Sequence, residues 1–359
     1  MDSAASTLPD APSTLYKPET TNTTEKYMSG DVIIKPTKSN RLCLKRNFQI
    51  FAAIMLSGGI YPLYRPDNSL GAMFSSELQS SGPEIHVTIL ATSTSQQALE
   101  KQYTGNAQFT LCTIDLSDQP SIVKALLGQD LVLSTISGNA LLTQLELIKA
   151  AELAGVKYFV PADYGPDIAF PSNNGLPLFA TNATVQSALK SSTLNYMIVT
   201  SGFFADYYLT PLFGWSLDGA PTATVYGDDN AKNSFTSLGD IAKYTIAAIK
   251  RIDEFENQNL RLAAYTLSFV DWCNLVEQEA GTRVKVAEAD LAPIIEAAKL
   301  DIDPPKDLEA IKRQMAIVLA NGAGKVDWET HSLDNSKFPE ITPAPIELVV
   351  KQALAKALK

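Results

Sequence analysis

The chain has 359 residues and a formal net charge of -10. This length suits one large or two modest domains, and an acidic surface repels phosphate backbones, which argues against nucleic-acid partners. The two histidines and three widely spaced cysteines (Cys43, Cys112 and Cys273) do not form a metal-binding pattern, so we expect no metal. So few cysteines are typical of a reducing compartment, and we expect a cytoplasmic protein.

Residues 1–46 are rich in Ser, Thr, Pro and acidic residues and lack apolar periodicity. This composition predicts a disordered tail. No apolar run follows the first residues, which argues against a secretory signal.

The uncharged run Asn47–Tyr64 follows Lys45 and Arg46 and has two interpretations. It could be a signal anchor, although a spanning helix needs about 20 apolar residues and Ser57-Gly58-Gly59 interrupts this one. The favoured interpretation is a buried strand over Gln49–Leu56 that runs into a glycine turn, and we expect no membrane association.

Short apolar strands then alternate with helices. The pattern predicts strands at Gln49–Leu56, His86–Leu90, Phe109–Ile114, Asp130–Thr135, Tyr158–Pro161 and Asn195–Thr200, and helices at Leu70–Ser80, Gln96–Tyr103, Pro120–Leu127, Leu141–Ala154 and Leu178–Leu189. Such alternation predicts an α/β fold with a doubly wound parallel sheet of the Rossmann type.

The pattern is less regular after residue 200. It predicts a loop at Ser201–Trp215, a strand at Thr222–Tyr226, and helices at Ser237–Ile249, Val270–Ala280, Asp307–Ala320 and Pro345–Leu358. We therefore expect one domain over 47–359. Its nucleotide lobe covers about 47–200, and a smaller, discontinuous substrate lobe lies mainly in 201–359.

Small and polar residues follow the fourth and fifth predicted strands. They are Ile136-Ser137-Gly138-Asn139 and Ala162-Asp163-Tyr164-Gly165. Ligands of doubly wound folds bind at the carboxyl ends of strands, where the strand order reverses. Any loop between a strand and a helix can have this composition, but two such loops together indicate a ligand site.

The run DLVLSTISGNALLTQLELIKAAELAGVKYFVPADYG, over residues 130–165, is similar to the NmrA-like and isoflavone reductase-like group of atypical short-chain dehydrogenases. That group has D-V-V-I-S-T, a Gln-bearing helix, A-A-x-x-A-G-V-K-R-F and P-S-E-F-G in the same order. Thr200–Tyr208 (TSGFFADYY) resembles its S-x-G-F-F loop, and 222–249 resembles its G-D-G-N-x-K and T-x-x-D-I-G region.

The resemblance implies a dinucleotide site, but the glycine fingerprint of the group is interrupted. Gly58 and Gly59 are separated from Gly71 by an insertion that contains Pro62 and Arg65. Arg65 is either a charged phosphate ligand or a solvated loop residue. The expected cofactor-binding residues are Gly58, Gly59, Gly71, Thr92, Ser93, Asp115, Thr135, Ile136, Ser137 and Pro161.

The end of the second strand bears on the choice of cofactor. An acidic residue there usually holds the ribose of NAD, whereas this chain has Leu90 followed by Ala91-Thr92-Ser93-Thr94-Ser95. Hydroxyl groups can bind a 2′-phosphate, so NADP(H) is favoured over NAD. The same residues could instead cap the next helix.

The expected catalytic residue departs from the group. Related reductases have a Lys early in the helix that follows the fifth strand, and Asn182 takes its position here. Asn is not a general acid near neutral pH. The Tyr-x-x-x-Lys signature of ordinary short-chain dehydrogenases is also absent. Asp163, Tyr164 and Tyr207 are the remaining proton-donor candidates, and each could equally be a packing or capping residue.

Aromatic residues in the loop after the sixth strand could line a pocket for an aromatic substrate, or pack one lobe against the other. The substrate candidates are Phe203, Phe204 and Tyr207. Three hypotheses follow. The favoured one is an NADPH-dependent reductase of a small aromatic or carbonyl compound. The alternatives are a non-catalytic NADP sensor that binds a protein partner, and a degraded member of the group that binds nothing.

Overall fold

A computed structural model describes residues 48–53, 69–82, 85–91, 100, 103, 105–115, 118–301 and 307–357. Its strands are β1 Phe48–Ala53, β2 Ile85–Ala91, β3 Phe109–Thr113, β4 Leu131–Ser134, β5 Tyr158–Val160, β6 Asn195–Thr200, β7 Phe203–Phe204, β8 Trp215–Ser216, β9 Thr222–Tyr226, β10 Asn233–Thr236, β11 Gln258–Arg261, β12 Tyr265–Leu267 and β13 Lys285–Ala289.

The helices are α1 Leu70–Ser80, α2 Gln119–Leu126, α3 Gln144–Ala154, α4 Pro177–Lys190, α5 Ala205–Tyr208, α6 Leu238–Ile249, α7 Phe269–Ala280, α8 Leu291–Ala298, α9 Leu308–Ala320 and α10 Ile346–Ala357. α3 ends where the sequence predicts, because Gly155 adopts the left-handed conformation that caps it (φ 75°).

Seven parallel strands form the main sheet, in the order β11-β6-β5-β4-β1-β2-β3. The chain builds β1 to β3 on one side and then crosses to β4, so the strand order reverses between β1 and β4. This arrangement confirms the predicted doubly wound fold. In the centre of the sheet, Ile50 of β1 pairs with Val87 on one side and with Leu131 on the other.

Both faces of the sheet are buried, as the apolar strand sequences predict. On β4, Leu131 and Leu133 pack in one apolar cluster with α1 and α6, while Val132 packs in a second cluster with α2, α3 and α4. All four residues of β4 are buried. Helices on both faces thus fix the positions of the strand ends, where the loops of a ligand site begin.

A residue near the end of the chain completes the first of these clusters. Phe338 is 1% exposed, and its ring stacks on Phe255 at 5.6 Å and meets Tyr244 edge-on at 5.6 Å. The core of the parallel sheet therefore includes a side chain that lies far beyond the last of its strands.

Two smaller sheets lie in the second half of the chain, in the orders β12-β10-β7 and β13-β9-β8. A third apolar cluster joins them to α7, α9 and α10. The segment Ser201–Trp215, predicted as a loop, is instead short structured pieces that include β7, α5 and the start of β8, so that prediction was wrong. Strands of two residues pair through the backbone and leave no apolar alternation in the sequence.

The remaining predicted elements agree within one to three residues, but several were missed. The missed elements are β10, β11, β12, β13 and α8. The strand interpretation of the uncharged run holds for Phe48–Ala53, while the rest of that run, the tail 1–46 and most of the helix predicted at 96–103 lie outside the described residues. Among the described helices, none is long and apolar enough to cross a membrane.

A glycine permits a close backbone contact directly after β6. Gly202 has a φ of 70°, and a Cβ at this position would lie 2.2 Å from the carbonyl oxygen of Ser234 on β10. Only a residue without a side chain allows β6 to continue into β7 at this distance from β10.

We predict that Gly202→Ala lowers the free energy of unfolding by about 1–2 kcal/mol more than Gly155→Ala does. Both glycines have a positive φ, but only at Gly202 would the added Cβ also clash with the backbone. Gly155 has no heavy atom within 4 Å of the added Cβ, so it isolates the cost of the φ angle. Urea denaturation of the two variants measures the difference. Equal losses of stability would contradict the steric explanation.

Candidate functional site

The carboxyl ends of β4 and β5 lie beside the point where the strand order reverses. The residues that follow β4 are Thr135 and Ile136, both buried, and Ser137, which is exposed in an extended conformation. Gly138 has a φ of 61° and begins a 3-10 turn that leads into α3. Among the loop residues whose exposure the structure describes, Ser137 is therefore the one that a ligand can reach most easily.

Two hydrogen bonds join the loops that follow β4 and β5. The Gln144 side chain, at the start of α3, accepts a hydrogen bond through Oε1 from the backbone N–H of Ala162 at 2.8 Å. The Tyr164 hydroxyl donates to the carbonyl oxygen of Ser134, the last residue of β4, at 2.9 Å. The two loops that the sequence singles out are thus one connected unit, and Pro161, the first residue after β5, is buried.

The turn after β6 belongs to the same unit. The hydroxyl of Ser201 donates to the carbonyl oxygen of Tyr164 at 2.5 Å, and its N–H donates to the carbonyl oxygen of Gly165 at 3.1 Å. Thr236 of β10 donates its hydroxyl to the carbonyl oxygen of Ser201 at 2.9 Å. The loop after β5 is therefore fixed from both neighbouring strands.

Asp163 lies in this loop, with its carboxylate buried. Its Oδ1 accepts a hydrogen bond from Asn182 Nδ2 at 3.1 Å, and its Oδ2 accepts one from Gln186 Nε2 at 2.5 Å. Burial is the largest effect on Asp163 and raises its pKa from 3.8 to about 6. The hydrogen bonds from Gln186 and Asn182 lower this pKa, the charge of Asp167 raises it, and the charge of Lys190 lowers it. The carboxylate can therefore change its protonation state near neutral pH.

Helix α4 brings the partners of Asp163 together. Asn182, Gln186 and Lys190 follow one another at four-residue intervals and lie on one face of the helix. Lys190 is exposed and donates to Gln186 Oε1 at 3.3 Å, so a polar chain runs from the surface to Asp163. Four-residue spacing from Asn182 could have indicated Gln186, which the sequence interpretation missed.

Tyr164 is in a different environment from Asp163, although the two are neighbours in sequence. Its ring is 5% exposed and packs 5.4 Å from that of Phe74. Burial and the nearby Asp163 raise its pKa well above the ordinary range, and its proton is directed at the Ser134 carbonyl. The structure therefore favours a packing role for Tyr164 over proton donation.

The aromatic residues after β6 separate into buried and accessible groups. Phe203 is 2% exposed and packs edge-on against Phe213, with ring centroids 5.6 Å apart. Of the two roles that the sequence left open for Phe203, packing and substrate contact, the structure favours packing. Phe204 and Tyr207 are half-buried, with ring centroids 6.1 Å apart. Burial and Asp206 raise the pKa of Tyr207 above its usual value. The latter two rings retain surface that a substrate could contact.

The remaining predicted cofactor residues are only partly described. Gly71 is buried in the first turn of α1, where Ser69 caps the helix by accepting a hydrogen bond from the N–H of Ala72 at 3.2 Å. Asp115 is exposed just after β3. Gly58, Gly59, Thr92 and Ser93 lie outside the described residues.

A family model described as the NmrA-like family matches residues 69–343. The chain belongs to the NmrA-like family. This confirms the resemblance seen in the sequence.

Relatives of this NmrA-like chain include a phenylcoumaran benzylic ether reductase of Populus trichocarpa, 32% identical over 204 residues, which are 53% of this chain and 65% of that protein. An isoflavone reductase homolog of Nicotiana glauca is 29% identical over 54% of this chain and 65% of its own length. The matched part thus spans slightly less than two thirds of these relatives.

Solved structures share the fold. A leucoanthocyanidin reductase–NADPH complex from Vitis vinifera has a TM-score of 0.70 and 18% identity, and covers 86% of this chain and 99% of its own. AtPrR2 with NADP+ and (+)pinoresinol has a TM-score of 0.67 and 20% identity, with the same coverage.

An ionic cluster around Asp167, four residues after Asp163, was also missed from the sequence. The buried carboxylate of Asp167 accepts from Arg261 Nη2 at 3.0 Å and from the Trp328 indole at 3.1 Å. Asn173 donates to the carbonyl oxygens of Asp167 and Ala323, at 2.8 and 2.9 Å. Partners from such distant parts of the chain leave no local signal. Within the described residues no cluster has the composition of a metal site.

We predict that the stability of the wild-type protein falls, relative to Asp163→Asn, as the pH rises from about 4 to 6. The folded state of the wild type holds the Asp163 proton up to about pH 6, while the unfolded state loses it near pH 3.8. Between these two values the folded state binds more protons than the unfolded state, so the free energy of unfolding falls as the pH rises from about 4 to 6. Across this pH range the free energy of unfolding should change by about 2–3 kcal/mol.

Urea denaturation at pH 4, 5, 6 and 7 measures this difference. Ser187→Asn, on the exposed face of α4, introduces the same side chain without removing a carboxylate and should follow the wild type at every pH. A difference between wild type and Asp163→Asn that is constant with pH would contradict the elevated pKa.

Proposed function

We propose that this NmrA-like protein is an NADP(H)-dependent reductase of small aromatic or carbonyl compounds. The supporting observation is the connected unit formed by the loops after β4, β5 and β6 beside the reversal of strand order. Dinucleotides bind at this place in doubly wound folds. Two structures of the same fold contain NADP+ or NADPH, and several relatives carry reductase names.

The residues present at the strand ends suit a dinucleotide. The first turn of α1, which includes Gly71, offers backbone N–H groups for phosphate oxygens. Thr135, Ile136, Ser137 and Pro161 would border the nicotinamide, with Gly58, Gly59, Thr92, Ser93 and Asp115 as further candidates from the sequence. Bound NADPH would supply a hydride to an electrophilic carbon of the substrate.

The chain itself would bind and orient the substrate. Phe204 and Tyr207 offer accessible aromatic surface for a planar ring. Asn182, half-buried on α4, can hydrogen-bond to a polar group of the substrate. Asp163, which accepts a hydrogen bond from Asn182, can hold a proton near neutral pH, while Tyr164 keeps the β4 and β5 loops together. We place this activity in the cytoplasm, with a substrate lobe formed mainly by residues 201–359.

NADPH should raise the thermal stability of the purified full-length protein more than NADH. At 100 times its dissociation constant, a ligand that binds only the folded state adds about 2.7 kcal/mol to the free energy of unfolding. Thermal melts with each nucleotide, and NADPH consumption with benzaldehyde, acetophenone and pinoresinol, test binding and turnover separately. If neither nucleotide shifts the melt, the proposal fails.

The second candidate function is a non-catalytic NADP sensor that acts through a protein partner. Asn182 favours it, because it stands where related reductases have a Lys and cannot donate a proton near neutral pH. NADPH binding without consumption of NADPH across the panel would support this candidate.

Replacing Asn182 by the group's Lys tests these two functions. We predict that Asn182→Lys increases NADPH consumption on the panel at least about tenfold, because general acid catalysis contributes roughly 10²–10⁴ in rate. The new ammonium would lie beside Asp163, which would stabilise its charge. Asn182→Gln, which lengthens the side chain without adding a proton donor, serves as the control. A variant Asn182→Lys that binds NADPH but still does not consume it would support the sensor.

A further inference from the structure

The amides of Asn182 and Gln186 both turn their nitrogen ends towards Asp163. Asn182 Nδ2 lies 3.1 Å from one carboxylate oxygen, and Gln186 Nε2 lies 2.5 Å from the other. An ionised carboxylate only accepts hydrogen bonds, so its charge dictates the orientation of both amides. The charge of Asp163 thereby determines which atom of each amide, the nitrogen or the oxygen, faces Asp163 and which one remains for other partners.

The consequence for Asn182 concerns its oxygen. The oxygen and nitrogen of a planar carboxamide are bonded to the same carbon and point in different directions, so Oδ1 is not the atom that faces Asp163. No hydrogen bond to Asn182 Oδ1 is found among the described residues, and the side chain is only half-buried. At the position of the group's Lys, the chain thus offers a neutral hydrogen-bond acceptor.

We propose that Asp163 is a positioning residue that fixes the Asn182 amide with its oxygen available to a hydroxyl group of the substrate, and that protonation of Asp163 lets this amide reverse. This inference rests on the proposed function, because it concerns the same site. A carboxylic acid can donate its proton to Oδ1, which makes the reversed amide compatible with Asp163. The reversed amide would then offer N–H groups in place of the oxygen.

The groups that face Asp163 place this change near neutral pH. Burial is the largest cause of the rise in the pKa of Asp163 to about 6, the amides of Gln186 and Asn182 lower this pKa, Asp167 raises it and the exposed Lys190 lowers it. Tyr164 also lies close to Asp163, and its own pKa is raised. Asp167 is itself paired with Arg261 at 3.0 Å. We therefore expect the amide to reverse at a pH between about 5 and 7.

The direct test follows the side-chain amide of Asn182 by NMR in the full chain, labelled with ¹⁵N-asparagine, without any ligand. The signal is assigned by its loss in Asn182→Ser. We expect it to titrate with a midpoint near pH 6, and to stop titrating in Asp163→Asn. In Asp167→Asn, loss of the neighbouring negative charge should lower the midpoint.

Asn173 supplies an internal control, because within the part of the chain that the structure describes its Nδ2 donates to the backbone carbonyl oxygens of Asp167 and Ala323, and its signal should stay constant with pH. An Asn182 amide that does not titrate between pH 5 and 8, or that titrates unchanged in Asp163→Asn, would overturn the proposal. This readout needs no cofactor, so it separates failure of the amide switch from failure of NADPH binding.

A second measurement tests the preference for hydroxyl groups. The probes are p-cresol and its methyl ether, 4-methylanisole, titrated into the NADP+-saturated protein and followed by thermal shift. At pH 7.5, p-cresol should bind about fivefold more tightly, which corresponds to one net hydrogen bond. This preference should diminish at pH 5 and disappear in Asn182→Leu. Equal affinities, or no measurable affinity for either probe, would overturn the assignment of a hydroxyl-binding role.

Discussion

The loop after β5 needs hydrogen-bond partners for buried polar groups, and neighbouring strands do not provide them all. Side chains provide the rest: Gln144 for the N–H of Ala162, Ser201 for the carbonyl oxygen of Tyr164, and two amides of α4 for Asp163. Buried polar groups without partners are costly, so each of these hydrogen bonds restricts where the element that carries the partner side chain can lie. Satisfying this loop therefore fixes α3, α4 and the turn after β6 around the candidate site.

The parallel sheet was predictable because its strands are short apolar runs between helices, a pattern that few other folds produce. β11 was missed because Leu260 is its one buried apolar residue, and β13 because its side chains are almost all exposed. The pair of loops after β4 and β5 was also predictable, since both follow clear strands. The contacts of Asp167 with Arg261 and Trp328 were not, because they join residues about 90 and 160 positions apart.

Gln144, Tyr164 and the turn after β6 hold the loops of the candidate site together. The sequence resemblance predicts that Asn182 takes the position at which the group has a Lys. A Lys beside Asp163 would form an ion pair and stabilise the carboxylate. Here the carboxylate accepts hydrogen bonds from the neutral amides of Asn182 and Gln186, and burial dominates its pKa. The residue at position 182 therefore matters for the electrostatics of Asp163 as well as for the chemistry of that position.

The position of Phe338 in the sequence has a consequence for folding during translation, because the ribosome synthesises this residue after every strand of the parallel sheet. Its ring lies between Phe255 and Tyr244 in the core of the parallel sheet, and Ala344 donates its N–H to Asp240 at the start of α6. A nascent chain that has produced every strand of that sheet still lacks these contacts. On the ribosome, the sheet would remain incompletely packed, with exposed apolar surface, until Phe338 and Ala344 have also emerged. Chaperone demand during translation is therefore expected to be concentrated in the interval between the emergence of β11 and that of Phe338.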